Sequence, residues 1–154
     1  LSQQMLNVGI EKIKKINLTD QIEMIKGDAE NLPFESNKFD AVSVAFGVRN
    51  FENLEKGLDE LKRVVKEDKS VYILEFSKVE GFLAPFYMFY FKNILPQIGK
   101  LVSKDNRAYT YLPDSVNAFP FGEKMKTILL NVGFKKVEYK KLSLGIATIY
   151  KATK

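Results

Sequence analysis

The chain has 154 residues, 45% of them hydrophobic and 28% charged, which fits one folded domain and excludes global disorder. It contains no Cys and no His, so disulfides, thiol nucleophiles, the common zinc ligands and the Ser-His-Asp triad are all excluded. Its 24 basic and 19 acidic residues leave a net charge of +5, which reads as a solvated basic face and predicts no nucleic-acid partner.

Leu1–Ile16 has the three- and four-residue apolar spacing of an amphipathic helix, through Met5, Val8 and Ile16, with Ser2 as its N-cap. Leu1–Gly9 has no basic start or long apolar run and so does not read as a signal peptide. The absence of an initiator Met predicts that the natural chain starts upstream. Ile22–Lys26 reads as a short apolar strand ended by Gly27-Asp28, and Leu32–Lys38 is loop chemistry. Phe39–Phe46 is nearly continuous in apolar residues, the pattern of a strand covered on both faces. Asn53–Lys66 is a second amphipathic helix with Leu54, Leu58, Leu61 and Val65 inward, and Ser70–Phe76 is another buried strand. The first half therefore predicts an α/β sheet with helical crossovers.

Gly81–Val102 differs, with six aromatic residues inside Phe82–Phe91. Lys92 and Pro96 interrupt the apolar run, so it is too short and broken to span a membrane. It reads as a helical insertion over about 81–118. That insertion fills its own core, walls a site for a hydrophobic substrate, or touches a membrane surface. Ser103–Phe119 is loop or short helix. Pro120–Asn131 is a helix closed by Gly133, and Phe134–Lys141 and Gly145–Ala152 form a hairpin-like ending. No repeat or linker divides residues 1–154.

Chemistry-bearing residues cluster where strands end, the edge at which open α/β sheets bind ligands. Gly27-Asp28-Ala29-Glu30 follows the first strand. Asp28 there accepts hydrogen bonds from a ligand or caps a turn. Phe46-Gly47-Val48-Arg49-Asn50 follows the second, and Arg49 serves a site or pairs with a carboxylate such as Glu52. Glu75 lies inside an apolar strand, where an unpaired charge is costly, so it needs a partner or a site. P-loop and GxGxxG patterns are absent.

These residues resemble a known family. GDAENLPF (Gly27–Phe34), FDAVSVAFGVRN (Phe39–Asn50), LDELKRVVK (Leu58–Lys66) and LEFSKV (Leu74–Val79) are similar to successive motifs of the ubiquinone/menaquinone biosynthesis C-methyltransferases. LPQIGKLVSKD (Leu95–Asp105), YTYLPDSV (Tyr109–Val116) and NVGFKKVEY (Asn131–Tyr139) extend the resemblance along the whole chain. It implies a Rossmann-like class I methyltransferase sheet with helices on both faces, here without the first two strands and the glycine-rich loop. The chain would then be a fragment or the continuous part of a longer protein, and alone it should bind the methyl donor weakly. The implied reaction is methylation of a ring carbon of a polyprenylated quinol, demethylmenaquinol or its ubiquinone-pathway equivalent, with S-adenosylmethionine (SAM) as donor and no metal.

On the same resemblance, Asp28 and Ala29 match the adenine-contacting pair, and Ala45 stands where some members carry a cofactor-contacting serine. Arg49 and Asn50 match the substrate-end pair, with Arg49 lowering the quinol hydroxyl pKa. Further substrate candidates are Phe46 and Gly47, Phe86 and Tyr90 in the aromatic segment, and Tyr109. A cytoplasmic protein, peripheral at the inner face of the membrane, suits such a substrate, and homo-oligomerisation is compatible with it. Two alternatives stay open: another small-molecule SAM methyltransferase, or a non-catalytic interaction domain that kept the fold.

Overall fold

The computed structural model describes residues 3–82, 84–89, 93, 115–116 and 118–154. The elements are α1 (Gln3–Lys15), β1 (Phe39–Ala45), α2 (Leu54–Val64), β2 (Val65–Phe76), α3 (Ala84–Phe89), α4 (Glu123–Asn131), β3 (Lys136–Leu142) and β4 (Ala147–Thr153). The four strands form one mixed sheet in the order β1-β2-β4-β3. β1 and β2 run parallel, while β4 is antiparallel to both its neighbours, so the chain ends in the expected hairpin.

Helix α2 begins where Asn53 caps it, its side chain accepting a hydrogen bond from the Lys56 N–H at 3.0 Å. Leu58 and Leu61 then fall on one stripe and are buried. The helix was expected to reach Lys66 but stops at Val64, because Val65 is already extended and pairs with Phe39. Gly133, at φ 97°, closes α4 as predicted.

Val71 and Ile73 of β2, Tyr150 and Ala152 of β4, Leu58 and Leu61 of α2, and Met125 and Leu129 of α4 make the core. They all lie on one face of the sheet. Glu75 and Thr148 share that face, because Glu75 stands opposite Thr148 in the β2–β4 register. The other face carries Tyr72, which is exposed, so the expected helical cover is seen on one face among the described residues.

Two strand expectations need correction. Phe39–Ala45 is a strand, but Ala41, Ser43 and Ala45 are exposed because they lie on the sheet face of Tyr72, which the described helices do not cover. Ile22–Lys26 joins no ladder. Without a partner strand, Ile22, Met24 and Ile25 keep much of their surface in water. α1 packs against this segment through Ile10 and Ile13, which line a small hollow with Ile22 and Met24. Ser2, Leu95–Asp105 and most of the expected insertion over 81–118 lie outside the described residues.

Candidate active site

Parallel pairing puts the carboxyl ends of β1 and β2 side by side, with Ala45 opposite Leu74. The chain leaves β1 through Phe46, whose N–H donates to the Leu74 carbonyl at 2.8 Å. Phe46 has φ 55°, a left-handed conformation that a bulky residue adopts only when its surroundings hold it there. Its ring packs on Phe76 at 4.5 Å between centroids. Gly47 needs no unusual φ. Its lack of a side chain instead lets the backbone lie close to Val44.

Val48–Asn50 then forms a 3-10 turn. Three residues per turn send successive side chains in three directions. Val48 enters the core, while Arg49 and Asn50, adjacent in sequence, line different hollows.

Arg49 reaches Glu75. Its Nη1 donates to Glu75 Oε1 at 2.6 Å and to the Phe46 carbonyl at 2.8 Å, and its backbone N–H points at Glu75 Oε2 at 3.4 Å. The Phe76 N–H also donates to Glu75 Oε1, at 2.9 Å, and the guanidinium carbon lies 5.5 Å from the Phe76 ring centre. The Glu75 side chain is 1% exposed and that of Arg49 11%. Glu75 thus has the partner its apolar setting demanded, and Arg49 pairs with Glu75 rather than Glu52. The Arg49 Nε–H remains buried without an acceptor.

The first hollow is a polar cleft of about 840 Å³. Gly27, Asp28, Ala29 and Glu30 form one wall, and Gly47, Asn50, Phe51 and Glu52 the other. Asp28 accepts the Glu30 N–H at Oδ1, 3.0 Å, which is the turn-capping role, and it stays exposed at the cleft mouth. Glu30 accepts the Asn53 N–H at 2.7 Å, so the wall is tied to the start of α2. A second tie follows. Glu60 Oε2 accepts the Leu32 N–H at 2.8 Å, and Arg63 donates to the Phe34 and Leu32 carbonyls at 2.7 and 3.1 Å. Hydrogen bonding to Arg63 holds the Glu60 carboxyl below its usual pKa.

The second hollow is an apolar cleft of about 410 Å³ on the other side of the turn, where Arg49 meets Val48, Phe51, Leu54, Phe119 and Pro120. The loop carrying Pro120 is fixed by the Gly122 N–H, which donates to Tyr150 Oη at 2.7 Å. Burial pushes the Tyr150 phenol pKa up.

The structure therefore gathers Asp28, Ala29, Gly47 and Asn50 around one cleft and turns Arg49 into another. Ala45 and Phe46 sit at the strand end beside them. Phe86, on α3, is exposed and packs on Phe82 at 6.0 Å. Tyr90 and Tyr109 lie outside the described residues. Sequence reasoning missed Phe51, which lines both clefts, and Glu30 as a structural tie. The signal for Phe51 is its place directly after the FGVRN loop.

A model of the ubiE/COQ5 methyltransferase family matches residues 1–154. The chain belongs to that family. Among its curated relatives, a demethylmenaquinone methyltransferase of Bacteroides fragilis is 46% identical over 155 residues, covering 100% of this chain and 63% of the relative. A ubiquinone/menaquinone biosynthesis C-methyltransferase of Rickettsia prowazekii is 41% identical, covering 100% of this chain and 62% of its own length. The chain thus spans less than two thirds of these family members. Solved structures share the fold. A SAM-dependent methyltransferase from Aquifex aeolicus superposes with a TM-score of 0.63 at 20% identity, over 98% of this chain and 64% of that one. Phosphoethanolamine N-methyltransferase 2 of Haemonchus contortus, solved with SAM, gives 0.66 at 14% identity, over 100% and 42%.

Proposed function

We propose that the protein to which this chain belongs methylates a ring carbon of a polyprenylated quinol with SAM as donor. The observation that carries the reading is the Val48–Asn50 turn, which sets Asn50 on a polar cleft and Arg49 on an apolar one. Family membership and the names of the relatives support the same reaction class.

The polar cleft suits the donor. Asp28, Glu30 and Glu52 outnumber Lys26 along its walls, so it favours a cation even though the chain as a whole is basic. Asp28 would receive an exocyclic amine, the Ala29 N–H a ring nitrogen, and Gly47 leaves the backbone open to close approach. When bound, SAM supplies an electrophilic sulfonium methyl. Everything else falls to the chain. A guanidinium offers only N–H donors and no acceptor, so Arg49 cannot serve as the base. Glu75 opposes its charge and fixes its plane, and Arg49 therefore acts as a directed donor to the quinol oxygen. That contact favours the deprotonated oxygen, which raises electron density at the adjacent ring carbon. Water takes the phenolic proton before transfer; after it, the methylated ring carbon loses its hydrogen as a proton and the oxygen regains one, so a single proton is released overall.

An exposed aromatic patch of Phe82, Phe86 and Phe89, 84%, 66% and 63% exposed, supports a peripheral contact with the membrane that holds such a substrate. No described helix is long and apolar enough to cross a membrane.

Arg49→Lys in the full-length protein tests the reading. Lys keeps the charge but loses the planar guanidinium whose Nη1 donates to both Glu75 and the Phe46 carbonyl. Turnover should fall at least tenfold with SAM affinity unchanged. Lower SAM affinity with undiminished turnover would contradict it.

A further inference from the structure

The turn between β3 and β4, Ser143–Gly145, holds a side chain that its own backbone disfavours. Ser143 and Leu144 have φ 48° and 58°, both left-handed, where Asn or Gly is the ordinary choice. Leu144 is nonetheless 78% exposed. Neither its conformation nor packing within the described residues accounts for a large apolar side chain there. A costly backbone conformation that presents an apolar group to water points to a contact made outside the chain.

The turn is tied to the rim of the site. Ala147 pairs with Phe76, so the turn lies at the edge where β2 ends. Ser77 Oγ donates to the Gly145 carbonyl at 2.9 Å, and Lys141 Nζ donates to Glu80 at 2.7 Å. Both bonds join the turn to the segment that leads into the exposed Phe82, Phe86 and Phe89. Lys78, next to Ser77, and Lys140, next to Lys141, are exposed, so three lysines stand at this junction against Glu80.

We infer that the β3–β4 turn is a lipid anchor: Leu144 enters the acyl boundary of a bilayer beside the aromatic patch, and Lys78 and Lys140 meet anionic headgroups. The inference rests on the reading of a membrane-held quinol and adds a second point of contact and the class of lipid. Excess positive charge at the junction favours an anionic surface over a neutral one. Two contacts at one edge fix how the strand ends face the bilayer, whereas one leaves the protein free to tilt.

The test measures partition of the full-length protein, without substrate, onto vesicles of phosphatidylcholine alone and of phosphatidylcholine with phosphatidylglycerol. Leu144→Asn removes the apolar tip and supplies a residue that suits the left-handed backbone, so Tm should hold or rise. Partition onto the mixed vesicles should weaken about tenfold. Lys78→Gln combined with Lys140→Gln should weaken it by a similar factor on the mixed vesicles and leave the neutral ones unmoved. Partition unchanged by Leu144→Asn overturns the anchor. A lowered Tm overturns it too, by making Leu144 part of the fold. Equal wild-type partition onto both vesicles overturns the anionic surface. A change of oligomeric state with Leu144→Asn, seen by light scattering, overturns the anchor in favour of contact between copies. Absence of methyl transfer to a demethylated prenyl naphthoquinol by the wild type overturns the parent reading alone, since partition is measured without substrate.

Discussion

A buried guanidinium and a buried carboxylate each remove the reason for the other to avoid the interior. Arg49 and Glu75 stand in that relation, and removing one partner leaves the other charged and dry. Glu75→Leu should therefore destabilise the protein by about 3–5 kcal/mol, measured by denaturant unfolding. The double variant Arg49→Met with Glu75→Leu should recover most of that loss while remaining inactive. A double variant as unstable as the single one would mean that the Glu75 carboxylate is needed for its bond to the Phe76 N–H and not for Arg49. The need for a partner was legible from Glu75 alone, as a charge inside SVYILEF. Which partner was not, because 26 residues separate the two and only the β1–β2 register brings them together.

Helix α2 is the element on which the polar cleft is built. Glu60 and Arg63, one turn apart, hold the loop from Leu32 to Phe34. Folding lowers the Glu60 pKa below its ordinary 4.5, chiefly through the hydrogen bond to Arg63. The stabilisation is thus fully present above pH 4.5 and is lost as pH falls through the lower folded value. Glu60→Gln should be less stable than wild type at pH 7, and the difference should shrink below pH 4.5. A difference that stays constant with pH would contradict the ion-pair role. Gly57 lies on the same helix against the Phe51 ring, which an added methyl would overlap. Gly57→Ala should cost about 1–3 kcal/mol by calorimetry, although Ala is the better helix former. The helices were legible because their signals are local: an N-capping Asn53, a stripe of Leu, a closing Gly133. Ile22–Lys26 and the exposure of β1 were not, since whether an apolar run is a paired strand depends on neighbours that local pattern cannot supply.

At the scale of the whole molecule, the core lies on one sheet face, and an apolar hollow of about 370 Å³ runs along β1, lined by Leu32, Phe39 and Val44. The site lies at the strand ends beside these open surfaces. The aromatic patch belongs to this scale too. On the proposal that the patch meets the tail and not the ring, Phe86→Ser in the full-length protein should raise KM for a long-tailed quinol and leave a short-tailed one unaffected. Equal loss for both would reassign Phe86 to structure. The family resemblance was legible, as was the meeting of the β1 and β2 ends with Gly27–Glu30 at one edge, although the segment before Gly27 is not a strand. The division of that edge into two clefts was not, because it arises from a 3-10 turn that aims Arg49 and Asn50 apart. The most direct measurement is to supply the full-length protein with methyl-labelled SAM and a demethylated prenyl naphthoquinol, and to locate the label by NMR. The account predicts label on the ring carbon next to a hydroxyl-bearing carbon, and none on oxygen. Label on a quinol oxygen, or no transfer at all, would contradict it.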